Sequence, residues 1–333
     1  MAYIEINKQN LYYNLNQIAL KTGSVDKISV VLKDNAYGHG LEIIAKLCSQ
    51  YGIKHAVVKN YQEALCIKNY FQTILVLNDK PICDDKVSFA INSLEDISLA
   101  KPNSKVELKV DTGMHRNGID IAQLDIALSR IKSKNLNLIG IMTHYRSADV
   151  LSSELFWQMK QFDSIKQKLK TYFDNIRCHS NNSATLLRQN RFNEDLVRVG
   201  IGIYGYNELP QIYNKIDLKP VMKLYAKKKS TRVIKKGCRI GYGGDFIAPK
   251  DMIVSTYDLG YGDGWSRAEY TDSYVTPKGY TFLGRVSMDF VSVDSDDDSI
   301  CIFDNAQVAA KQLKTISYEI FTTLSSNIPR III

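Results

Sequence analysis

Residues 28–40 run Ile28-Ser29-Val30-Val31-Leu32-Lys33-Asp34-Asn35-Ala36-Tyr37-Gly38-His39-Gly40. A short β-branched run that ends in polar residues and glycines has the texture of a buried strand opening into a loop. The same texture returns at His55–Lys59, Thr73–Leu77, Val87–Ile91, Val106–Val110, Leu138–His144, Ile176–Ser180 and Val197–Tyr204, which with Ile28–Lys33 makes eight runs. Segments of helical period separate them, among them Leu41–Tyr51, Ile121–Lys132 and Glu154–Tyr172, where apolar residues recur at three- and four-residue spacing. Strands alternating with helices form a parallel sheet, and eight is the number that closes a TIM-type (β/α)8 barrel. A helix-like stretch, Lys8 to Leu20, precedes the first strand, and the connection between Leu77 and Val87 is too short for a full crossover helix.

Past Leu218 the texture changes to strand-like runs broken by Gly, Asp and Pro: Met222–Ala226, Ile253–Thr256, Phe282–Gly284, Phe290–Val293 and Ile300–Phe303. The expectation is an α/β chain with a barrel over residues 1–218 and a smaller, mainly β domain over 219–333. A chain of 333 residues has room for both, since single cores stop growing near ~250–300 residues. The acidic run Asp294–Asp298 reads as a solvated turn, because no Gly and Glu stand where a calcium loop needs them; no metal is expected.

A hydrophobic content of 45% and a charged content of 23% are ordinary for a folded domain and argue against disorder. The net charge of +8 invites a nucleic-acid reading, but the densest basic stretch, Lys223 to Lys236, lacks interleaved aromatics and reads as a solvated strand. The six cysteines are scattered with no CxxC pair, so neither a zinc site nor a disulfide framework is expected. The N-terminus shows no apolar core behind a basic start, and no window holds about 18 uninterrupted apolar residues, which points to a soluble cytoplasmic protein with no membrane partner.

Chemistry in a parallel barrel gathers at the carboxyl ends of its strands, so the polar residues there carry the functional reading. Lys33 is delivered by an apolar run, a dry setting in which an amine loses charge and forms a Schiff base; a surface lysine starting a loop would look the same. The fifth run ends Lys109-Val110-Asp111-Thr112-Gly113-Met114-His115-Arg116, bringing two cations to the mouth, one of them suited to a carboxylate. The sixth ends in Thr143-His144, which suits either a core histidine or a catalytic one. Asn182 and Ser183 after the seventh run, and Arg198-Val199-Gly200-Ile201 in the eighth, could bind phosphate through a hydroxyl and backbone N–H groups, although Ser183 could equally be a plain N-cap. In the second domain, Gly260-Tyr261-Gly262-Asp263-Gly264 sets one tyrosine among glycines, as either a hairpin turn or a close approach to a ligand.

Together these stretches resemble the alanine racemase family. Val31-Leu32-Lys33-Asp34-Asn35-Ala36-Tyr37-Gly38-His39-Gly40 is similar to its cofactor-lysine motif. Lys-Val-Asp-Thr-Gly-Met-x-Arg at 109–116, Thr-His at 143–144, Asn-Ser-Ala at 182–184, Arg-x-Gly-Ile at 198–201, Gly-Tyr-x-Asp-Gly at 260–264 and Gly-Arg-Val-Ser-Met-Asp at 284–289 follow in the family's order.

The resemblance implies a pyridoxal 5′-phosphate enzyme that racemises alanine as a head-to-tail homodimer and supplies D-alanine for peptidoglycan. It implies that Lys33 carries the cofactor, that Tyr37, Asn182, Ser183, Gly200 and Ile201 hold its phosphate end, and that Arg198 faces its pyridine nitrogen. It further implies two bases, Lys33 and Tyr261 of the partner subunit, with His144 beside that tyrosine. Arg116 and the partner's Met288 backbone would meet the substrate carboxylate, with Asp289 beside it, and Lys109 matches a lysine that is carbamylated in some members. Asp149 and Ser326 match positions in the family's access corridor, and Ser326 departs from the usual tyrosine, which implies a roomier pocket open to serine. The alternatives are a broad-specificity or serine racemase of the same fold and a noncatalytic pyridoxal-phosphate carrier, which has no use for Tyr261.

Overall fold

The computed structural model describes residues 1–173, 175–213, 216–267 and 273–333. It divides into two units, Tyr12–Ala36 with Leu41–Lys219, and Met1–Leu11 with Tyr37–Gly40 and Pro220–Ile333. Strands are numbered along the chain. After β1 (Tyr3–Ile6) come β2 (Ile28–Val31), β3 (His55–Val58), β4 (Thr73–Val76), β5 (Val87–Ile91), β6 (Lys105–Asp111), β7 (Asn137–Met142), β8 (Arg177–His179) and β9 (Val197–Val199).

Strands β2 to β9 form one parallel sheet in the order β9-β2-β3-β4-β5-β6-β7-β8, the expected eight strands of a (β/α)8 barrel. The seam between β8 and β9 closes without a full ladder. A single parallel bridge joins Asn182 to Arg198, and Asp195 Oδ2 accepts the Cys178 N–H at 2.7 Å while Glu194 Oε2 accepts those of Ser180 and Asn181 at 2.6 and 3.2 Å. Carboxylates therefore stand in for strand partners where β8 ends. The eighth run also ends sooner than its apolar content suggests: the ladder stops at Val199, and residues 200–205 turn.

Alternation along β6 decides what faces where. Val106, Leu108 and Val110 are fully buried in a cluster with Leu124, Ala127 and Ile131 of the helix Leu124–Ser133 and Phe162 and Ile165 of the helix Glu154–Lys170. Each such side chain taken out of water contributes about 1.5–3 kcal/mol. The opposite face of β6 carries Lys105, Glu107, Lys109 and Asp111. The short β4–β5 connection contains no helix among the described residues; Lys68 pins it by ion pairs of 2.8 Å to both Asp84 and Asp85, and the parallel ladder Ile74↔Val87 to Val76↔Phe89 forms regardless.

In the other unit β1 lies antiparallel to β10 (Met222–Ile234), in register Tyr3↔Tyr225 to Ile6↔Met222. Strand β10 also pairs with β11 (Met252–Tyr257), which pairs with β12 (Val291–Val293); β13 (Ser299–Phe303) adds to β10, and β14 (Arg330–Ile332) runs parallel to β1. The first eleven residues thus group with the C-terminal sheet rather than with the barrel, because their hydrogen-bond partners are Met222–Tyr225 and Arg330–Ile332. The expected strand Phe282–Gly284 is only an isolated bridge, Phe282↔Val293; Gly284 turns the chain at φ 76°. The basic stretch runs along β10 and just past its end, with Lys228 paired to Asp296 and Asp298 at 3.0 and 3.1 Å, Lys229 to Asp258 at 3.2 Å and Lys235 to Asp251 at 2.6 Å. Among the described residues no helix is long and apolar enough to cross a membrane.

Candidate active site

Lys33 follows β2, and the chain then enters a conformation that L-residues avoid. Asp34, Asn35, Ala36 and Tyr37 all have φ between 51° and 55°, one turn of left-handed helix. Each such residue costs roughly 1–2 kcal/mol, so the turn exists only because its surroundings hold it. Leu41 donates its N–H to Asn35 Oδ1 at 2.8 Å, Ala36 donates to the Leu32 carbonyl at 2.8 Å, and Asp34 pairs with Lys59 at 2.9 Å. The Lys33 side chain stays 38% exposed with Nζ 3.9 Å from Asp34 Oδ2.

Four cations gather around His144. Burial, then Arg198, Arg116, Lys109 and Lys33, push its imidazole down to about 3, so it is neutral at physiological pH. Lys109, at the end of the charged face of β6, is 8% exposed, with Nζ 3.5 Å from Asn117 Oδ1. Burial and the neighbouring Arg116 and Arg198 bring its amine down to about 8.

Arg198 is buried, yet among the described residues its terminal nitrogens bond no carboxylate. NH1 donates to His179 Nδ1 at 2.6 Å and to the His179 carbonyl at 2.8 Å, while NH2 donates to the Thr143 carbonyl at 2.6 Å. A guanidinium only donates, so His179 accepts at Nδ1 and carries its proton on Nε2, which donates to Glu107 Oε2 at 2.5 Å. Burial alone would raise the Glu107 carboxyl; Arg177 and His179 outweigh it and hold the group ionised. The chain Glu107–His179–Arg198 thus links a fully buried anion to the arginine at the mouth. Sequence reasoning missed Glu107, although the alternation Lys105-x-Glu107-x-Lys109-x-Asp111 was a usable signal for it, because inward-facing charges are rare unless paired.

On the strands beside it, Ser183 Oγ accepts the N–H groups of Gly200 and Gly202, both at 3.2 Å, and Asn182 caps the helix Ser183–Arg188 through the Thr185 N–H at 2.9 Å. A Cβ on Gly202 would stand 3.1 Å from Val199 Cγ1 and 3.4 Å from Ser183 Oγ, so a side chain there would require these neighbours to give by a few tenths of an ångström. Ile201 is buried, and Asp149 is exposed on the loop that follows β7.

The second unit assembles its own set. Tyr261 donates its backbone N–H to the Ser287 carbonyl at 3.1 Å and Gly262 donates to that of Met288 at 2.8 Å, which docks the tyrosine loop onto the Met288-Asp289 turn. A Cβ on Gly260 would fall 2.0 Å from the Met288 carbonyl oxygen, which is why glycine precedes the tyrosine. The Tyr261 ring is 40% exposed, with Arg267 5.8 Å from its centroid. Tyr37 lies against Tyr318 at a ring separation of 5.8 Å, and Ser326 is exposed, its carbonyl accepting from Arg330 at 2.9 Å.

Two family models match the chain, one described as "Alanine racemase, N-terminal domain" over residues 6–208 and one as "Alanine racemase, C-terminal domain" over residues 221–332. A curated alanine racemase from a Nitratiruptor species is 44% identical over 337 residues, 99% of this chain and 99% of that one. A solved structure of alanine racemase from Bacillus anthracis with bound L-Ala-P superposes with a TM-score of 0.91 at 27% identity, over 100% of this chain and 95% of the other. Alanine racemase from Bartonella henselae with covalently bound pyridoxal phosphate shares the fold, with a TM-score of 0.84 at 24% identity over 100% and 99%.

Proposed function

The chain belongs to the alanine racemase family, and from that premise we propose how this isomerase, which interconverts L-alanine and D-alanine, divides the work among its residues. The cofactor would be pyridoxal 5′-phosphate, which Lys33, Tyr37, Asn182, Ser183, Gly200, Ile201 and Arg198 would hold. The residues fit such a group: Lys33, Lys109, Arg116 and Arg198 all act on His144 with like charge, an excess of positive charge that suits an anionic phosphate and a substrate carboxylate. This cation-rich mouth around Lys33 is the observation that carries the reading. When bound, pyridoxal phosphate supplies a conjugated ring that takes up the electron pair left by the α-proton.

The protein's part is to move that proton. Inverting the α-carbon requires removal from one face and delivery to the other, and one side chain cannot reach both faces of a planar centre. Lys33 serves one face and Tyr261 of the partner subunit the other, in a head-to-tail homodimer. His144, held neutral, accepts a hydrogen bond from the tyrosine hydroxyl and so helps it release its proton. Arg116 binds the substrate carboxylate with the backbone of Met288 of the partner subunit, next to which stands Asp289 of the partner subunit. Arg198 stays charged at neutral pH, its guanidinium brought down only to about 10, so it would offer the bound group a cation and no proton. Lys109, roughly half neutral near pH 8, is competent to add carbon dioxide at its free amine, releasing a proton to solvent, and so become an anion that orients Arg116. A carbamate signal from 13C-bicarbonate, absent in Lys109→Arg, is the expected outcome; its absence from wild type sinks that assignment.

The decisive test is α-proton exchange and loss of optical rotation for L-alanine and L-serine in D2O with added pyridoxal phosphate, comparing wild type with Tyr261→Phe. Wild type is expected to racemise alanine and the variant not to. Cofactor binding with no exchange in either amino acid would make the protein a carrier. Exposed Ser326, where the family has tyrosine, favours a corridor open to serine, and a serine rate unchanged in Ser326→Tyr refutes that. The cellular role is D-alanine supply for peptidoglycan, in the cytoplasm.

A further inference from the structure

Beside the Lys33 turn sits a carboxylate with no part in the chemistry above. Glu63, on the short helix Tyr61–Ile67, accepts two backbone N–H groups from separate segments, that of Asn35 on Oε1 at 3.2 Å and that of Lys59 on Oε2 at 2.9 Å. Asn35 is at the centre of the left-handed turn, with φ 55° and ψ 44°. Lys59 follows β3, whose Val57 carbonyl accepts the Leu32 N–H at 2.8 Å, directly before Lys33. A second tie joins the same two segments, since Lys59 Nζ reaches back to Asp34 Oδ1 at 2.9 Å.

The anchor itself is fixed. Glu63 donates its own N–H to Asn60 Oδ1 at 2.9 Å, and Ala64 and Ile67 of the same short helix are buried. Asn35 is the third residue of the turn, before the first internal bond, which Ala36 makes to the Leu32 carbonyl at 2.8 Å, so its N–H needs an acceptor supplied from outside. Glu63 supplies it from a fixed position, with both oxygens committed.

We propose that Glu63 is the positioning residue for Lys33: by accepting the Asn35 and Lys59 N–H groups it holds the left-handed turn that aims the lysine into the barrel mouth. The proposal rests on the reading of Lys33 as the cofactor lysine. Without this carboxylate the turn relaxes toward the right-handed and extended conformations that L-residues prefer, and the lysine amine leaves its working position. Glutamine keeps one acceptor oxygen and turns an NH2 group against the other N–H, so it lies between glutamate and alanine.

The test compares wild type, Glu63→Gln and Glu63→Ala as full chains, with and without pyridoxal phosphate. Three readouts are taken: amide hydrogen exchange at Asn35 and Ala36, the fraction of Lys33 trapped by borohydride at limiting cofactor, and kcat and KM for alanine. Expected for Glu63→Ala are faster exchange confined to residues 34–37 and reduced trapping. Its kcat should drop on the order of tenfold or more while KM changes little, since displacement of a reacting group by about an ångström acts on rate. Glu63→Gln should fall between. A folded Glu63→Ala with unchanged exchange and trapping overturns the proposal; if that variant does not fold, unchanged exchange in Glu63→Gln does so instead. Wild type trapping its cofactor at a residue other than Lys33 would refute the underlying reading, a result distinguishable from either.

Discussion

The charge on His144 is set by its neighbours, and it has a measurable consequence. Burial and four cations place its folded value at about 3, against an ordinary value near 6.5. As pH falls below about 6.5 the unfolded chain takes up this proton while the folded one does not, so the unfolded state gains. The stabilisation is complete above that pH and declines toward pH 3, by up to about 1.4 kcal/mol per pH unit for one proton. Denaturant titrations without cofactor should therefore show a shallower loss of stability between pH 6 and 4 in His144→Gln than in wild type; parallel curves would mean that the imidazole is not held neutral. At this scale the sequence was legible where chemistry is concentrated in one stretch, as around Lys33. It was opaque for Glu63 and Glu107, which act through hydrogen bonds to residues 28 and 72 positions away. A glutamate in a helical or strand-like run carries no mark of which remote N–H or imidazole it serves.

Among the elements, two glycines with the same backbone angle separate steric need from conformational need. Gly23 and Gly38 both have φ 76°, yet a Cβ on Gly23 would meet nothing within 4 Å, whereas one on Gly38 would fall 1.9 Å from the Phe321 carbonyl oxygen. Gly23→Ala should cost only the left-handed penalty of about 1 kcal/mol. Gly38→Ala adds a backbone clash beside the Arg330 contact, whose NH2 donates to the Gly38 carbonyl at 2.9 Å, and should cost about 3 kcal/mol or more. Equal denaturation midpoints for the two variants would show that the segment moves aside freely. Elements bounded by alternation and punctuation were readable from sequence, hence the eight barrel strands. Those made by distant pairing were not: Tyr3–Ile6 is a strand because β10 and β14 flank it, and Phe282–Gly284 has strand-like residues but only one bridge partner.

For the molecule as a whole, the composition shift after Leu218 is local and could be read, while the return of Met1–Leu11 to the C-terminal unit depends on partners more than 200 residues away and could not. The larger question is the assembly. Each unit carries half of the proposed two-base set, Lys33 with Arg116, His144 and Arg198 in one, and Tyr261 with Met288 and Asp289 in the other. If a working site draws its second base from the partner subunit, two different inactive chains can repair each other. In a purified heterodimer of Lys33→Ala with Tyr261→Phe, one site combines both lesions and the other combines intact Lys33 with intact Tyr261. Two-fold symmetry then predicts about half the wild-type rate per dimer from two parents that are each inactive. If instead each site takes both bases from its own chain, every site in that heterodimer keeps one lesion and the mixture stays as inactive as its parents. The same preparation then separates a shared site from a dimer that merely stabilises the fold, because only a shared site lets pairing restore turnover.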